Sequence, residues 1–190
     1  MNFLINIILD LLFPRRCPVC GQIVMPKGSL ICPGCVKKLS WVRGPVCKCC
    51  GKEIISGTME YCPDCAAHPR SFSHGMALFN YNEISAPSLA MVKYHDRREY
   101  LDFYAEAAYR RYAKTIARLS PDLIIPVPVH KSRLKKRGFN QAEEFGKRLS
   151  HYLEIPMNSS LLIRSKKTVP QKDLGPALRL KNLEQAFSCR

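Results

Sequence analysis

The sequence predicts an α/β protein in two unlike parts: a cysteine-rich N-terminal module, then a domain built on a parallel sheet. Three observations predict it. Eight of the ten cysteines fall in four evenly spaced C-x-x-C pairs, all before residue 66. From about Arg70 those pairs stop and the composition becomes that of alternating strands and helices. A short, wholly apolar run then feeds a strongly basic turn and another helix, as a buried strand of a parallel sheet does.

The cysteine pairs are Cys17/Cys20, Cys32/Cys35, Cys47/Cys50 and Cys62/Cys65, each separated from the next by eleven residues. The stronger repeat is thirty residues long, since Cys-Pro-Val-Cys-Gly at 17–21 aligns with Cys-Lys-Cys-Cys-Gly at 47–51. Cys-Pro-Gly-Cys at 32–35 likewise aligns with Cys-Pro-Asp-Cys at 62–65. The repeating unit is therefore a four-cysteine module, present twice. Zinc takes four tetrahedral thiolates at about 2.3 Å, and C-x-x-C lets two sulfurs converge through a tight turn. The glycine after the second cysteine eases the backbone there. A module this small cannot build an adequate apolar core, so metal binding supplies its folding energy.

Disulfides are the main competing reading, weakened by the spacing and by the lack of a signal peptide. A thioredoxin-like redox motif does not fit four regular copies. Equal gaps permit sequential or interleaved ligation, and the thirty-residue repeat favours sequential. Cys17, Cys20, Cys32 and Cys35 then hold one structural zinc ion, and Cys47, Cys50, Cys62 and Cys65 the other. Cys49 reads as a spare, Cys189 as a plain thiol, and His68 and His74 as bystanders. Trp41, Tyr61 and Phe72 suit either base stacking or small local cores.

The N-terminal run from Phe3 to Phe13 is apolar, with Asn2, Asn6 and Asp10 forming one polar stripe at helical spacing. It reads as a short helix over 1–14 that ends at Pro14 and packs on the protein. It has no positive leader or small-residue cleavage site, which argues against a secretory signal. It is also shorter than the about 18 residues of a spanning helix, so no transmembrane segment is expected. Reduced cysteines and no signal together predict a cytoplasmic protein.

The remaining elements follow in order. Met76–Tyr81 reads as a strand, and Ser88–Leu119 as helical stretches broken near His95–Arg98. Residues 121–129 (PDLIIPVPV) read as a fully buried strand. KSRLKKRG follows as a basic turn, then a helix through 140–152. The tail from Arg164 reads as an extended basic loop with a weak helical pattern near its end. Lysine and arginine number 30 against 15 acids, a formal charge of +15. That excess favours a polyanionic partner, nucleic acid or a phosphorylated small molecule, over a merely solvated surface. The five basic residues between Lys131 and Arg137 lie where a strand feeds a helix, a natural place for a phosphate.

Taken together these segments resemble the ComF-type proteins, which pair a double zinc ribbon with a type I phosphoribosyltransferase-like domain. They are associated with bacterial competence for DNA uptake. The motifs are FPRRCPVCG, the paired cysteine modules, MVKY at 91–94 and PVPVHKSRLKKRGFNQ at 126–141. Thr168-x-x-Gln171-x-x-Leu174, Arg179, Asn182 and Ala186-Phe187 complete them. The resemblance implies a double zinc ribbon over 15–68 and a phosphoribosyltransferase-like domain with a parallel sheet over 70–190.

It further implies a pyrophosphate loop of His130, Lys131, Ser132, Arg133, Arg137 and Gly138, and a mobile loop bearing Thr168, Gln171, Arg179 and Asn182. The family's acidic pair and Thr-Thr-Gly-type loop would begin just after Phe187, whereas this sequence stops at Arg190. The expectation is therefore a C-terminally truncated chain without transferase activity, with magnesium confined to a longer form. Three roles are compatible with the resemblance: handling of single-stranded DNA, binding of a phosphorylated ribose, and docking of competence proteins by the ribbons.

Overall fold

The computed structural model describes residues 12–169 and 171–190. The expected helix over 1–14 lies outside them through residue 11. The chain divides into two compact units, Met1–Met91 and Val92–Arg190.

The first unit is a duplication at the level of single hydrogen bonds. Cys17 N–H donates to the Gln22 carbonyl at 2.8 Å, Gly21 N–H to Cys17 at 2.9 Å, and Val24 N–H to Arg15 at 2.9 Å. Thirty residues on, Cys47 donates to Lys52, Gly51 to Cys47 and Ile54 to Pro45, at 2.8, 2.9 and 3.0 Å. Each set closes a tight knuckle around one antiparallel bridge, Arg16 with Ile23 and Val46 with Glu53. Each module's second pair opens a short helix, α1 (Pro33–Lys38) and α2 (Pro63–Ala67). Cys32 and Cys62 are the N-caps, and proline follows each, where its missing N–H costs nothing.

Gly21 and Gly51 both have φ of 70°, the left-handed region in which a side chain is strained. Their surroundings differ. Around Gly21 there is open space, whereas a Cβ on Gly51 would lie 2.5 Å from the Gly75 carbonyl oxygen. Gly75 N–H reciprocates by donating to the Cys49 carbonyl. The second knuckle is thus closed by the segment that follows its module.

That segment, 76–81, is extended as expected, and it pairs only through one bridge, Phe79 with Trp41. The two rings lie 4.4 Å apart, and the Trp41 Nε1–H donates to the Val36 carbonyl at 3.1 Å. Trp41 therefore belongs to a local core with Val42 and Leu39, both buried, while Tyr61 and Phe72 are exposed. Helix α3 (Ser85–Tyr94) follows. Asn82 caps it, its Oδ1 accepting from Ile84 N–H and Ser85 N–H, and Ser85 Oγ accepts in return from Asn82 N–H.

The second unit is organised by α4 (Tyr100–Leu119), which packs on α6 (Gln141–Leu153). Tyr100, Leu101, Phe103, Tyr104, Ala105 and Ala107 are buried along its first half. Arg148 on α6 ties the pair together, donating to Asp102 at 2.6 Å and to Glu144 at 3.3 Å. Between these helices the 131–137 segment is not the expected turn but a helix, α5 (Lys131–Arg137). Its residues are mostly good helix formers, the His130 ring accepts from Ser132 N–H at its start, and Gly138 ends it at φ 84°.

Residues 121–129 are extended, and Ile124 forms a parallel bridge with Met157. Gly146 lets α6 approach this strand closely, since a Cβ there would meet the Met157 sulfur at 3.0 Å. The run is not fully buried as expected: Ile125 and Val127 are exposed, because only one side of it is paired or covered. The one sheet among the described residues is antiparallel, β1 (Leu162–Arg164) with β2 (Phe187–Cys189). Between its strands lie a 3-10 turn (Gln171–Asp173) and α7 (Pro176–Leu183), more ordered than the loop expected there.

The two knuckles make a direct comparison. Both Gly21→Ala and Gly51→Ala incur left-handed strain of about 1–2 kcal/mol. Gly51→Ala adds the clash with Gly75, so its thermal unfolding midpoint should fall clearly further. Equal shifts would contradict the close approach.

Candidate functional site

Knuckle and helix start together converge four sulfurs in each module. The sulfurs of Cys17, Cys20, Cys32 and Cys35 all lie within 4.8 Å of one another, as do those of Cys47, Cys50, Cys62 and Cys65. The grouping is sequential, as the repeat favoured. A tetrahedral zinc–thiolate site with bonds of about 2.3 Å has sulfur–sulfur edges of roughly 3.8 Å. Cys50 and Cys62 stand at 3.8 Å. Four soft donors at this spacing, among them three buried cysteines in the second module, fit zinc and leave no open position.

The electrostatics of the tetrads point the same way. Burial would push the Cys17 thiol up, but backbone hydrogen bonds from Cys20, Cys32 and Val19 bring it down to about 7. Burial opposes ionisation of Cys47 too, and backbone hydrogen bonds from Cys50, Cys62 and Cys49 hold it at about 6. Burial and the neighbouring sulfurs push Cys35 and Cys65 up to about 12. One sulfur per module is thus prepared as a thiolate, while Cys32 and Cys35 in the first and Cys50 and Cys65 in the second are pushed up, chiefly by burial.

The modules are not identical. Arg70 hydrogen-bonds to Cys65 and pairs with Asp64, which raises its own pKa. The first module has Ser40 at the matching place. Arg70 lies outside the cysteine spacing, and nothing in the sequence marked it. Cys49 packs against the second tetrad without joining it, and His68 and His74 are not part of either cluster.

In the second unit one of the expected phosphate residues, Arg133, meets one of the expected mobile-loop residues, Thr168. Arg133 Nη2 donates to the Thr168 carbonyl at 3.3 Å. Arg164, which the sequence reading did not select, donates to the Thr168 hydroxyl. Asn182 and Val169 exchange two hydrogen bonds. Gln171 and Arg179 bond each other, each through its side chain to the other's carbonyl.

His130 accepts from Ser132 N–H as a cap, while Lys131 and Gly138 are exposed at the two ends of α5. Arg137 lies over the Tyr94 ring at 5.9 Å, and burial and the Arg133 charge both push its pKa down. A guanidinium does not lose its proton in a protein, so the shift marks a partly buried charge beside a second guanidinium, with Tyr94 opposing it. Among the described residues no carboxylate pairs with Arg133, Arg137 or Arg164. That donor set suits an anion and does not fit magnesium.

The cysteine sites define a class: a double zinc ribbon protein. Residues 8–66 match the double zinc ribbon domain family. The similarity extends well past the ribbons. Competence protein F of Haemophilus influenzae is 31% identical over 180 residues, covering 93% of this chain and 77% of that protein. The chain belongs to the ComF family of competence proteins. Competence protein ComFC of Bacillus subtilis is 24% identical, with 87% of this chain and 71% of that protein covered. DNA utilization protein YhgH of Escherichia coli K12 is 25% identical, with 92% and 77% covered. No solved structure matches the chain. The ribbon match and the two tetrads together support two structural zinc ions.

Metal analysis of the purified full chain should find about two zinc ions per molecule. Cys47→Ser or Cys62→Ser should lose one of them, and Cys49→Ser neither. Loss of both ions from either ligand variant would contradict independent sites.

Proposed function

We propose that this protein handles single-stranded DNA as a competence-associated factor, with zinc-held ribbons as scaffold and basic surface as grip. In this reading Cys17, Cys20, Cys32 and Cys35 ligate one zinc ion and Cys47, Cys50, Cys62 and Cys65 the other. Thiolate ligation of zinc needs reduced cysteines, which supports a cytoplasmic location. No helix among the described residues is long and apolar enough to cross a membrane.

The observation that carries the reading is the state of α5. Lys131, Lys135 and Lys136 are exposed, and none has a carboxylate partner among the described residues. Elsewhere lysines do pair, as Lys147 does with Glu143 and Glu144 and Lys48 with Glu60. Unpaired lysines on a chain of +15 formal charge suit a phosphate backbone, which rewards displacement of its counterions. The relatives named for competence and DNA utilization support the same direction.

A second reading has its own observation. Arg133 and Arg137, partly buried and without a carboxylate partner among the described residues, suit a compact phosphorylated ligand such as phosphoribosyl pyrophosphate. Here these residues would bind and neutralise the phosphates, with the 168–182 segment beside them. The type I phosphoribosyltransferase-like architecture belongs to this reading, and the Ile124–Met157 bridge is compatible with its parallel pairing.

Binding of a labelled oligodeoxynucleotide across a salt series tests the first reading. Affinity should fall steeply with salt, and Lys135→Ala with Lys136→Ala should flatten the log–log slope by roughly 1.4. Binding that is absent, or indifferent to salt, would sink it.

A further inference from the structure

We propose that Arg164 is an anion-binding residue, the third guanidinium of a site shared with Arg133 and Arg137 that takes a pyrophosphate-type group. The inference rests on the second reading above and extends it to a residue on a different element. Arg164 lies on β1, far in sequence from α5, yet its Nη2 and that of Arg133 both end on Thr168. One residue's hydroxyl and carbonyl thus occupy two guanidinium groups at once. The Arg164 guanidinium also lies over the Phe187 ring at 5.2 Å, which fixes its plane.

The decisive detail is the rest of that side chain. Arg164 Nε is buried and has no hydrogen-bond acceptor. An unpaired buried donor on a charged group is costly, and native proteins rarely leave one without a reason. Nearby, the Arg133 charge acts on both Arg137 and Arg164, and among the described residues no carboxylate pairs with any of the three. A purely structural arginine would be expected to satisfy its Nε and to sit beside a carboxylate. This one shares an uncompensated cluster of positive charge.

The chemistry names the ligand class. Guanidinium forks bind phosphate oxygens in pairs, and three forks offer more donors than one phosphodiester can accept. A compact group with several negative charges and adjacent phosphates matches them better. Thr168 would be the acceptor displaced when such a group enters.

Inorganic pyrophosphate is the probe, titrated calorimetrically into the full chain. Zinc content and far-UV circular dichroism serve as checks that each variant is folded. Arg164→Gln should weaken binding about tenfold or more, as Arg133→Gln should too. Arg164→Lys, which keeps the charge but not the fork, should fall between. Thr168→Val removes a competing acceptor and should bind at least as tightly as the wild type. If Arg133→Gln abolishes binding while Arg164→Gln binds like the wild type, the inference about Arg164 is overturned and the second reading stands. If the unmodified chain takes up no pyrophosphate, both fall.

Discussion

The convergence of four sulfurs in each module is the constraint on which the N-terminal unit depends. Each module places few apolar side chains inside; Val24 in the first and Ile54 in the second are the buried ones beside the cysteines. So little area cannot offset the entropy of ordering some twenty residues, at roughly 1–2 kcal/mol each. Nor can the sulfurs settle the matter alone, because four thiolates so close repel one another. Thiols in their place would forgo the attraction that a cation provides. The divalent ion resolves both difficulties, and so the local backbone is arranged around it.

That arrangement explains why the two modules match bond for bond. The knuckle leaves the N–H groups of Val19 and Cys20, and of Cys49 and Cys50, directed at the first sulfur of each module, and the short helix delivers the other pair. Any change that moved one of these would misplace a ligand. The differences therefore lie outside the cage. Arg70 touches Cys65 in the second module only, and the Gly75 backbone closes against Gly51 only. The second module is the one buttressed by the following segment, whose Phe79 also meets Trp41.

The second unit obeys a different rule. Its basic residues divide into paired and unpaired sets. Arg148 is committed to Asp102 and Glu144 and serves the contact between α4 and α6. Arg133, Arg137 and Arg164 have no carboxylate partner among the described residues, although they are partly shielded from water. Shielded positive charge without a counter-charge stores a preference for an anion. Lys131, Lys135 and Lys136 on α5, without carboxylate partners among the described residues, carry the same charge exposed to water.

The cysteine sites were legible in the sequence because their information is local. A C-x-x-C pair, a following glycine and a thirty-residue repeat specify ligands, metal and turn geometry without reference to distant residues. The break between α3 and α4 was similarly near at hand, whereas 131–137 reads as a turn and is instead a helix capped by His130. What the sequence could not decide was pairing across distance. Residues 121–129 are apolar enough for a buried strand, but burial depends on neighbours, and Ile125 and Val127 stay exposed where none covers them. Arg164 carries no mark in its own segment; only the tertiary structure sets it beside Thr168 and Arg133. Local chemistry determined the metal cages, and three-dimensional proximity alone decided which charges were left without partners.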